Sequence, residues 1–205
     1  MKKDNAFAEI IESSLQGWLA QSWQWNTFPT FGSILKVQSN TRTMYGIVHQ
    51  IQTGSMDPVR YPFAYQKTEE ELLAEQPQIF EFLKTSFSCL ILGYQEKGHI
   101  YYQVTPEPPK IHSFVYPLDK ENLKQFFINE QYLHMLFNSA NQMINIDELL
   151  LALLKNLSEL NILTQTHIEA MIENFNLHTG NDYRRLKLFL QRAQPLLEVD
   201  NQNIF

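Results

Sequence analysis

The chain has 205 residues, with 16 Lys and Arg against 22 Asp and Glu, and a net charge of −6. Its hydrophobic content of 44% is enough for a folded core, and no apolar run approaches the roughly 20 residues that a membrane-spanning helix needs. A single cysteine, Cys89, excludes an internal disulfide and a cysteine-rich metal cluster. We therefore predict a soluble globular protein in a cytoplasmic compartment.

The first predicted element is a helix over residues 4 to about 16, where apolar residues recur at spacings of three and four. The following segment contains Trp18, Trp23 and Trp25, and the last two would lie on the same side of a strand. Large rings this close together usually fill a core, so we assign them to the interior and end of a barrel. The alternative is that they line a ligand pocket at a barrel mouth.

Short alternating runs rich in β-branched and aromatic residues predict strands. These runs cover residues 33–38, 44–51, 89–94 and 99–104. Residues 96–98 form a hairpin turn in which Gly98 supplies a positive φ. A helical insertion over residues 68–86 interrupts the strands and opens with an acidic turn at Glu69, Glu70 and Glu71. Strands of this length and spacing predict a small closed barrel.

From residue 119 onward the pattern becomes helical, with only one glycine and one proline. Apolar residues form four groups at helical spacing, which predicts four helices. An N-capping residue precedes each group: Asp119, Asn145, Thr164 and Asn181. Gly180 provides the left-handed cap of a helix that ends near His178.

The predicted fold class is α+β. It consists of a small six-stranded β-barrel with the N-terminal helix and the helical insertion over residues 1–118, followed by an all-α, four-helix segment over residues 119–205.

A family resemblance rests on three stretches: residues 31–37 with 44–48, residues 53–60, and residues 92–94 through 105–112. Together they resemble the HAS barrel, the small β-barrel at the N-terminus of HerA-type translocases and of the α and β subunits of rotary ATP synthases. Residues 65–80 are similar to a stretch in small stand-alone HAS-barrel proteins of cyanobacterial and plastid type, which lack an NTPase domain. The resemblance implies an oligomerisation and docking module, but no activity.

Sequence signatures of catalysis are absent. There is no phosphate-binding Gly-x-x-x-x-Gly-Lys-Ser/Thr, no dinucleotide Gly-x-Gly-x-x-Gly, no Gly-x-Ser-x-Gly and no His-Glu-x-x-His. Cys89 lies in a hydrophobic strand, where burial raises the pKa of a thiol and makes it unreactive. We therefore predict no enzyme activity, no cofactor and no metal site.

The first candidate binding segment is the loop over residues 53–62. It contains Met56, Asp57, Arg60 and Tyr61, and the mixture of Met, Arg and Tyr is enriched where protein surfaces meet. The alternative interpretation is that Asp57 starts a turn and that Arg60 pairs with a nearby acid.

A second candidate segment contains Pro106, Pro108 and Pro109, followed by His112. These prolines stiffen the chain, so the segment is either a docking ledge for a partner or a rigid exit from the barrel.

The third candidate is the basic cluster that Arg184 and Arg185 begin on the last helix. It forms either a solvated face or a contact with an acidic partner. Neither half of the chain is basic overall, which disfavours nucleic acid.

These features favour a non-enzymatic, protein-binding adaptor or assembly factor for a larger complex. By resemblance, its partner belongs to a photosynthetic or ATP-synthase complex of cyanobacteria or plastids, and a plastid-encoded chain would reside in the stroma. The alternatives are a small-ligand-binding barrel that uses the tryptophans and an accessory subunit of a nucleic-acid NTPase that uses Arg184 and Arg185.

Overall fold

The computed structural model describes residues 5–57, 59, 62–139 and 144–198. Within these ranges the chain forms seven strands and seven helices. The strands are β1 (Ala8–Ser13), β2 (Gly17–Ser22), β3 (Ile34–Ser39), β4 (Arg42–Ser55), β5 (Leu83–Glu96), β6 (His99–Tyr101) and β7 (Phe114–Pro117). The helices are α1 (Glu69–Glu75), α2 (Gln78–Glu81), α3 (Lys120–Phe127), α4 (Gln131–Ser139), α5 (Ile146–Glu159), α6 (Gln165–His178) and α7 (Tyr183–Glu198).

Six of the described strands close into an antiparallel barrel. They follow the order β2-β1-β7-β3-β4-β5, and β2 also pairs with β5 to complete the ring. β6 lies outside the ring and pairs with the end of β5 through a hairpin in which Lys97 and Gly98 both have positive φ. The predicted α+β fold, with a six-stranded barrel followed by helices, is confirmed.

Alternate residues of the strands point into the barrel, as the period of a β-strand requires. On β2, Trp18 and Ala20 are buried inside, next to Phe87 and Cys89 of β5. The interior is therefore filled by side chains.

The C-terminal helices cover the outer face of β3, β4 and β5. Tyr45 and Leu92 on this face belong to the same core cluster as Phe126 of α3 and Leu149 of α5. The rings of Tyr45 and Phe126 lie 5.0 Å apart. The central strands are buried on both faces, which explains the continuous apolar run of β5.

The predicted N-terminal helix is wrong, because residues 8–13 form the strand β1. Ala8 and Ile10 point into the barrel, and a bulge between Ile10 and Glu12 leaves Ile11 partly exposed. The bulge breaks the strict alternation of a strand and gives the apolar residues a spacing of three to four, which resembles a helix. Hydrogen bonds to β2 and β7 make this segment extended.

The helical segment contains five described helices where four are predicted. The additional helix is α4, and only residues 128–130 separate it from α3, with no glycine or proline to mark the break. The caps Asp119, Asn145 and Thr164 are confirmed. The predicted cap Asn181 is wrong, since Asp182 accepts from the N–H of Arg185 instead.

Two further local predictions agree at least in part with the structure, whereas the strand predicted over residues 99–104 ends already at Tyr101. Gly180 follows the end of α6 with a φ of +65°, as predicted. The insertion contains α1 and α2, although β5 already begins at Leu83. Among the described helices, none has both the length and the apolar character to cross a bilayer.

Candidate functional site

A segment that we call the arm, residues 56–82, connects β4 to β5; the structure describes all of it except residues 58, 60 and 61. Its base is a ribbon of two strands, in which residues 53–55 of β4 pair with residues 83–85 of β5. The N–H of Met56 donates to the carbonyl of Phe82 at 2.7 Å. The hydroxyls of Thr53 and Thr85 lie 2.7 Å apart. The arm thus begins from a hydrogen-bonded ribbon.

One side of this base is fixed to the barrel by Trp25. Its ring stacks on Phe80 of α2 at 5.5 Å, and its carbonyl accepts a hydrogen bond from the hydroxyl of Thr85. The prediction that Trp23 and Trp25 share one side of a strand is wrong, because β2 ends at Ser22. Through these two contacts, Trp25 anchors the base of the arm.

Local hydrogen bonds explain why α1 forms. The hydroxyl of Thr68 accepts from the N–H of Glu71, and the carboxylate of Glu71 accepts from the N–H of Thr68 at 2.8 Å, which completes a capping box. Glu69 and Glu70 lie in the same first turn, where the helix dipole favours negative charge. Lys67 pairs with Glu75. Caps and dipole therefore stabilise α1 without a core.

Packing contributes little to the arm, since neither α1 nor α2 buries a residue. Several large apolar side chains of the arm are instead exposed to solvent: Met56 (47%), Val59 (86%), Phe63 (69%), Leu73 (47%) and Phe82 (44%). Phe63 contacts the ring of Tyr65 at 4.2 Å between centroids. Exposed apolar side chains also occur elsewhere, as at Ile128, Leu177 and Tyr183, but the arm carries five along one segment whose helices bury nothing, which is typical of a binding surface.

The arm is also strongly acidic. It contains six acidic and two basic residues, a net charge of −4 within a chain whose net charge is −6. Apolar and acidic groups thus occur together on the same protruding segment.

Four predicted site residues belong to this arm, and the structure describes two of them, Met56 and Asp57. Met56 is exposed, whereas the carboxylate of Asp57 accepts from the N–H of Val59 at 2.9 Å and so forms a turn. This agrees with the interpretation of Asp57 as a turn residue. The other two, Arg60 and Tyr61, lie outside the described residues.

The proline segment lies near the opposite end of β4, at the Arg42 end. Glu107 accepts from Asn40 at 3.0 Å and from Arg42 at 2.9 Å, and these interactions lower the pKa of its carboxyl, with the Asn40 bond contributing most. Pro106 and Pro108 are exposed, and Pro109 is buried.

His112 ends this segment. Its N–H donates to the carbonyl of Ile10 at 2.9 Å, and its ring lies 2.5 Å from the carboxylate of Glu9. Both contacts fasten the segment to β1. The geometry therefore matches the rigid-exit interpretation of the prolines.

The two arginines of α7 differ in their contacts. Arg185 makes a two-bonded ion pair with Asp147 of α5, at 2.7 and 3.0 Å, and lies over the ring of Phe175. Arg184 is exposed. Arg185 holds α7 against α5. A nucleic-acid phosphate would therefore have to compete with Asp147 for the guanidinium of Arg185.

The tryptophans of the ligand alternative differ in burial. Trp18 is buried inside the barrel, whereas Trp23 is 40% exposed and meets Phe114 edge-on at 5.5 Å. A ligand inside the barrel would have to displace core side chains. A groove of about 900 Å³ is lined by residues that include Trp18, His49 and Ser88.

His49 was not predicted as a site residue. It is the extra residue of a bulge in β4, and burial lowers the pKa of its imidazole. Bulges recur beside binding sites because they redirect a side chain, but alternation in the sequence gives no sign of them.

Cys89 is buried as predicted, and burial raises the pKa of its thiol well above its usual value. Within the described ranges, no group of three or more His, Cys, Asp and Glu side chains is arranged to hold a metal ion.

The predicted candidates therefore lie on three separate elements, namely the arm, the proline exit and α7. The exposed apolar residues of the arm beyond Tyr61 are the part that the sequence analysis missed. Comparison with known proteins does not assign the site either: no family model matches the chain, and no curated protein matches it.

Proposed function

We propose that the chain is a non-enzymatic adaptor or assembly factor that docks onto a larger protein complex through the arm. The observation that supports this most directly is that α1 and α2 bury no residue, while Leu73 within α1 and Phe63 before it remain exposed. When a partner covers apolar side chains that an ordered segment holds in water, the free energy of the system falls, which favours binding.

The charge of the arm defines the partner. A surface of net charge −4 attracts a segment rich in Lys and Arg and repels an acidic one. The exposed Phe63, Leu73 and Phe82 require apolar residues in the same segment. The proposed occupant is therefore a basic segment with interspersed apolar residues, on a protein partner.

The resemblance to HAS barrels supports the same function, because that barrel is a docking and oligomerisation module in larger proteins. A photosynthetic or ATP-synthase complex as the partner rests on this resemblance alone.

The test is affinity purification of the tagged full chain from its source organism, followed by affinity measurement with the purified partner. One variant, Glu69→Lys with Glu70→Lys, reverses the charge of α1 but keeps the capping residue Glu71. A second variant, Phe63→Ser, removes an exposed ring outside the helices. The matched control is Glu173→Lys, on the exposed face of α6.

We expect one stoichiometric partner whose affinity falls at least tenfold in both arm variants and stays unchanged in the control. The affinity for the wild-type chain should also fall as salt rises, because exposed charges are screened. A partner that binds all four proteins equally would show that the arm is not the docking surface.

A further inference from the structure

We infer that the partner segment binds as an additional β-strand along the free edge of β4, over residues 51–55. This inference rests on the proposed function and specifies the conformation of the bound segment. The occupant is an extended, basic segment of the partner protein.

The edge arises because the two neighbours of β4 differ in length. β3 pairs with β4 from Arg42 to Ile47, and the last backbone bonds on that side join Val48 to Gly32 and Ser33. On the other side, β5 continues to pair as far as Ser55. Within the part of the chain that the structure describes, the end of β4 therefore has a neighbouring strand on one side only.

The direction of the backbone groups follows from the ladder. The N–H of Met56 donates across the ribbon to the carbonyl of Phe82. Because backbone groups alternate in direction along a strand, the even-numbered residues from 50 to 56 all direct their N–H and C=O groups toward β5. Ile51, Thr53 and Ser55 therefore direct their N–H and C=O groups to the opposite edge. None of these groups bonds to a described backbone group on that edge.

The corresponding end of β5 is protected. Residues 86–90 pair with β2, and Thr85 bonds to the carbonyl of Trp25. The free edge of β6 is only three residues long. The edge of β4 is thus the more complete template for a further strand.

Natural sheets protect exposed edges with lysine, proline, a buried charge or a bulge. The bulge at His49 ends just before this edge, and residues 50–55, with the sequence Gln-Ile-Gln-Thr-Gly-Ser, contain no lysine, proline or charged side chain. Gln52 and Thr53 are exposed. The straight pairing from Gln50 to Ser55 leaves an edge without protecting side chains, which is a template for strand addition, in which main-chain bonds provide affinity.

Charge distinguishes a partner from a second copy of the chain. The arm continues directly from Ser55, so a strand bound at this edge extends toward a segment of net charge −4. A second copy carries the same acidic arm and a net charge of −6, whereas a basic segment is attracted.

The probe is a 12-residue peptide selected from a displayed library against the full chain and counter-selected against Glu69→Lys with Glu70→Lys. Amide exchange of the full chain, measured by NMR, gives the first readout. In the free chain, the amides of Ile51, Thr53 and Ser55 should exchange at least tenfold faster than those of Gln52 and Gly54. The bound peptide should slow the first three at least tenfold.

Two methylated peptides form the matched pair. A peptide in a strand directs alternate amides toward β4 and the others toward solvent. Methylating one alternate set of amide nitrogens should weaken binding at least tenfold, and methylating the other set should leave it nearly unchanged. This comparison leaves the protein unaltered, so misfolding cannot produce the result.

The outcomes separate the two proposals. Equal effects of both methylated peptides, or unchanged exchange at residues 51, 53 and 55, would overturn strand addition but leave docking through the arm intact. Failure to select any peptide that distinguishes the chain from its charge-reversed variant would overturn both. Protected edge amides in a peptide-free dimer would assign the edge to a second copy and overturn the inference.

Discussion

Gly46 of β4 lies against the indole ring of Trp18 inside the barrel. A Cβ atom at this position would approach Cη2 of Trp18 to 2.3 Å, far inside van der Waals contact. Trp18 is only 3% exposed and is held between the strands, so the ring has little room to move. At this position glycine provides space rather than backbone freedom.

We predict that Gly46→Ala lowers the free energy of unfolding by about 1–3 kcal/mol, as overpacking of a core does. Trp18→Phe removes the clashing part of the ring, so the double variant should be less destabilised than the sum of the two single variants. Urea denaturation of the four proteins measures this coupling. Additive losses would show that the indole ring adjusts without cost.

Two histidines connect α4 and α6. The rings of His134 and His178 lie 5.3 Å apart, and His178 stacks on Phe137 at 4.7 Å. The Nε2 atom of His178 is buried and has no hydrogen-bond partner among the described residues. Burial, followed by the charge of His134, lowers the pKa of His178. The contact between the two helices therefore favours a neutral imidazole.

This contact predicts a pH dependence of stability. The folded pKa of His178 is below the unfolded value near 6.5, so the unfolded chain binds the proton more tightly and stability is lost as pH falls below about 6.5. We expect a lower urea midpoint at pH 5.5 than at pH 7.5, and a smaller drop in His178→Gln.

His49 has a lowered pKa as well and contributes in the same pH range, so His49→Gln is the parallel control. Asp119 and Glu148 also have lowered pKa values, but as carboxyl groups they lose their contribution only at more acidic pH. If the urea midpoint of His178→Gln falls between pH 7.5 and pH 5.5 as much as that of the wild type, the contact between α4 and α6 does not cause the pH dependence.

Elements were predictable where local chemistry determines them. The caps Asp119, Asn145 and Thr164 are visible in the sequence because their side chains bond to the backbone that follows directly. β1 was not predictable, because its conformation depends on β7, more than 100 residues away, and on a bulge that imitates helical spacing. Pairing between distant strands does not appear in a local pattern.

The candidate site was predicted only in part, for a related reason. The sequence indicated the loop that contains Met56, which is exposed at the start of the arm. It did not indicate Phe63 or Leu73, since an apolar residue in a sequence normally predicts burial. They are exposed because the ribbon carries the arm away from the barrel interior and from the core between the barrel and the helices.

For the molecule as a whole, the arm should be separable from the fold. We predict that replacing residues 57–81 with Asn-Gly, a two-residue hairpin turn, leaves the barrel and helices folded, because α1 and α2 bury no residue. The melting temperature should change by only a few degrees, since surface changes are usually within about 0.5 kcal/mol. Circular dichroism and thermal melting measure this.

The excision removes Phe80, which stacks on Trp25 in the loop between β2 and β3. Tryptophan fluorescence should therefore change as well. An excised chain that is insoluble or unfolded would show that the arm belongs to the core. A folded one provides a control without the docking segment for every binding experiment.

The pairing of β1 with β7 also has a consequence for the order of synthesis. Ala8 pairs with Val115, so the ring cannot close until more than a hundred residues have left the ribosome. The outer faces of β4 and β5, with Tyr45 and Leu92, then stay uncovered until α3 and α5 have been made. A nascent chain of this fold therefore exposes its most apolar strands until these helices follow, and during that interval chaperones and neighbouring chains can reach them.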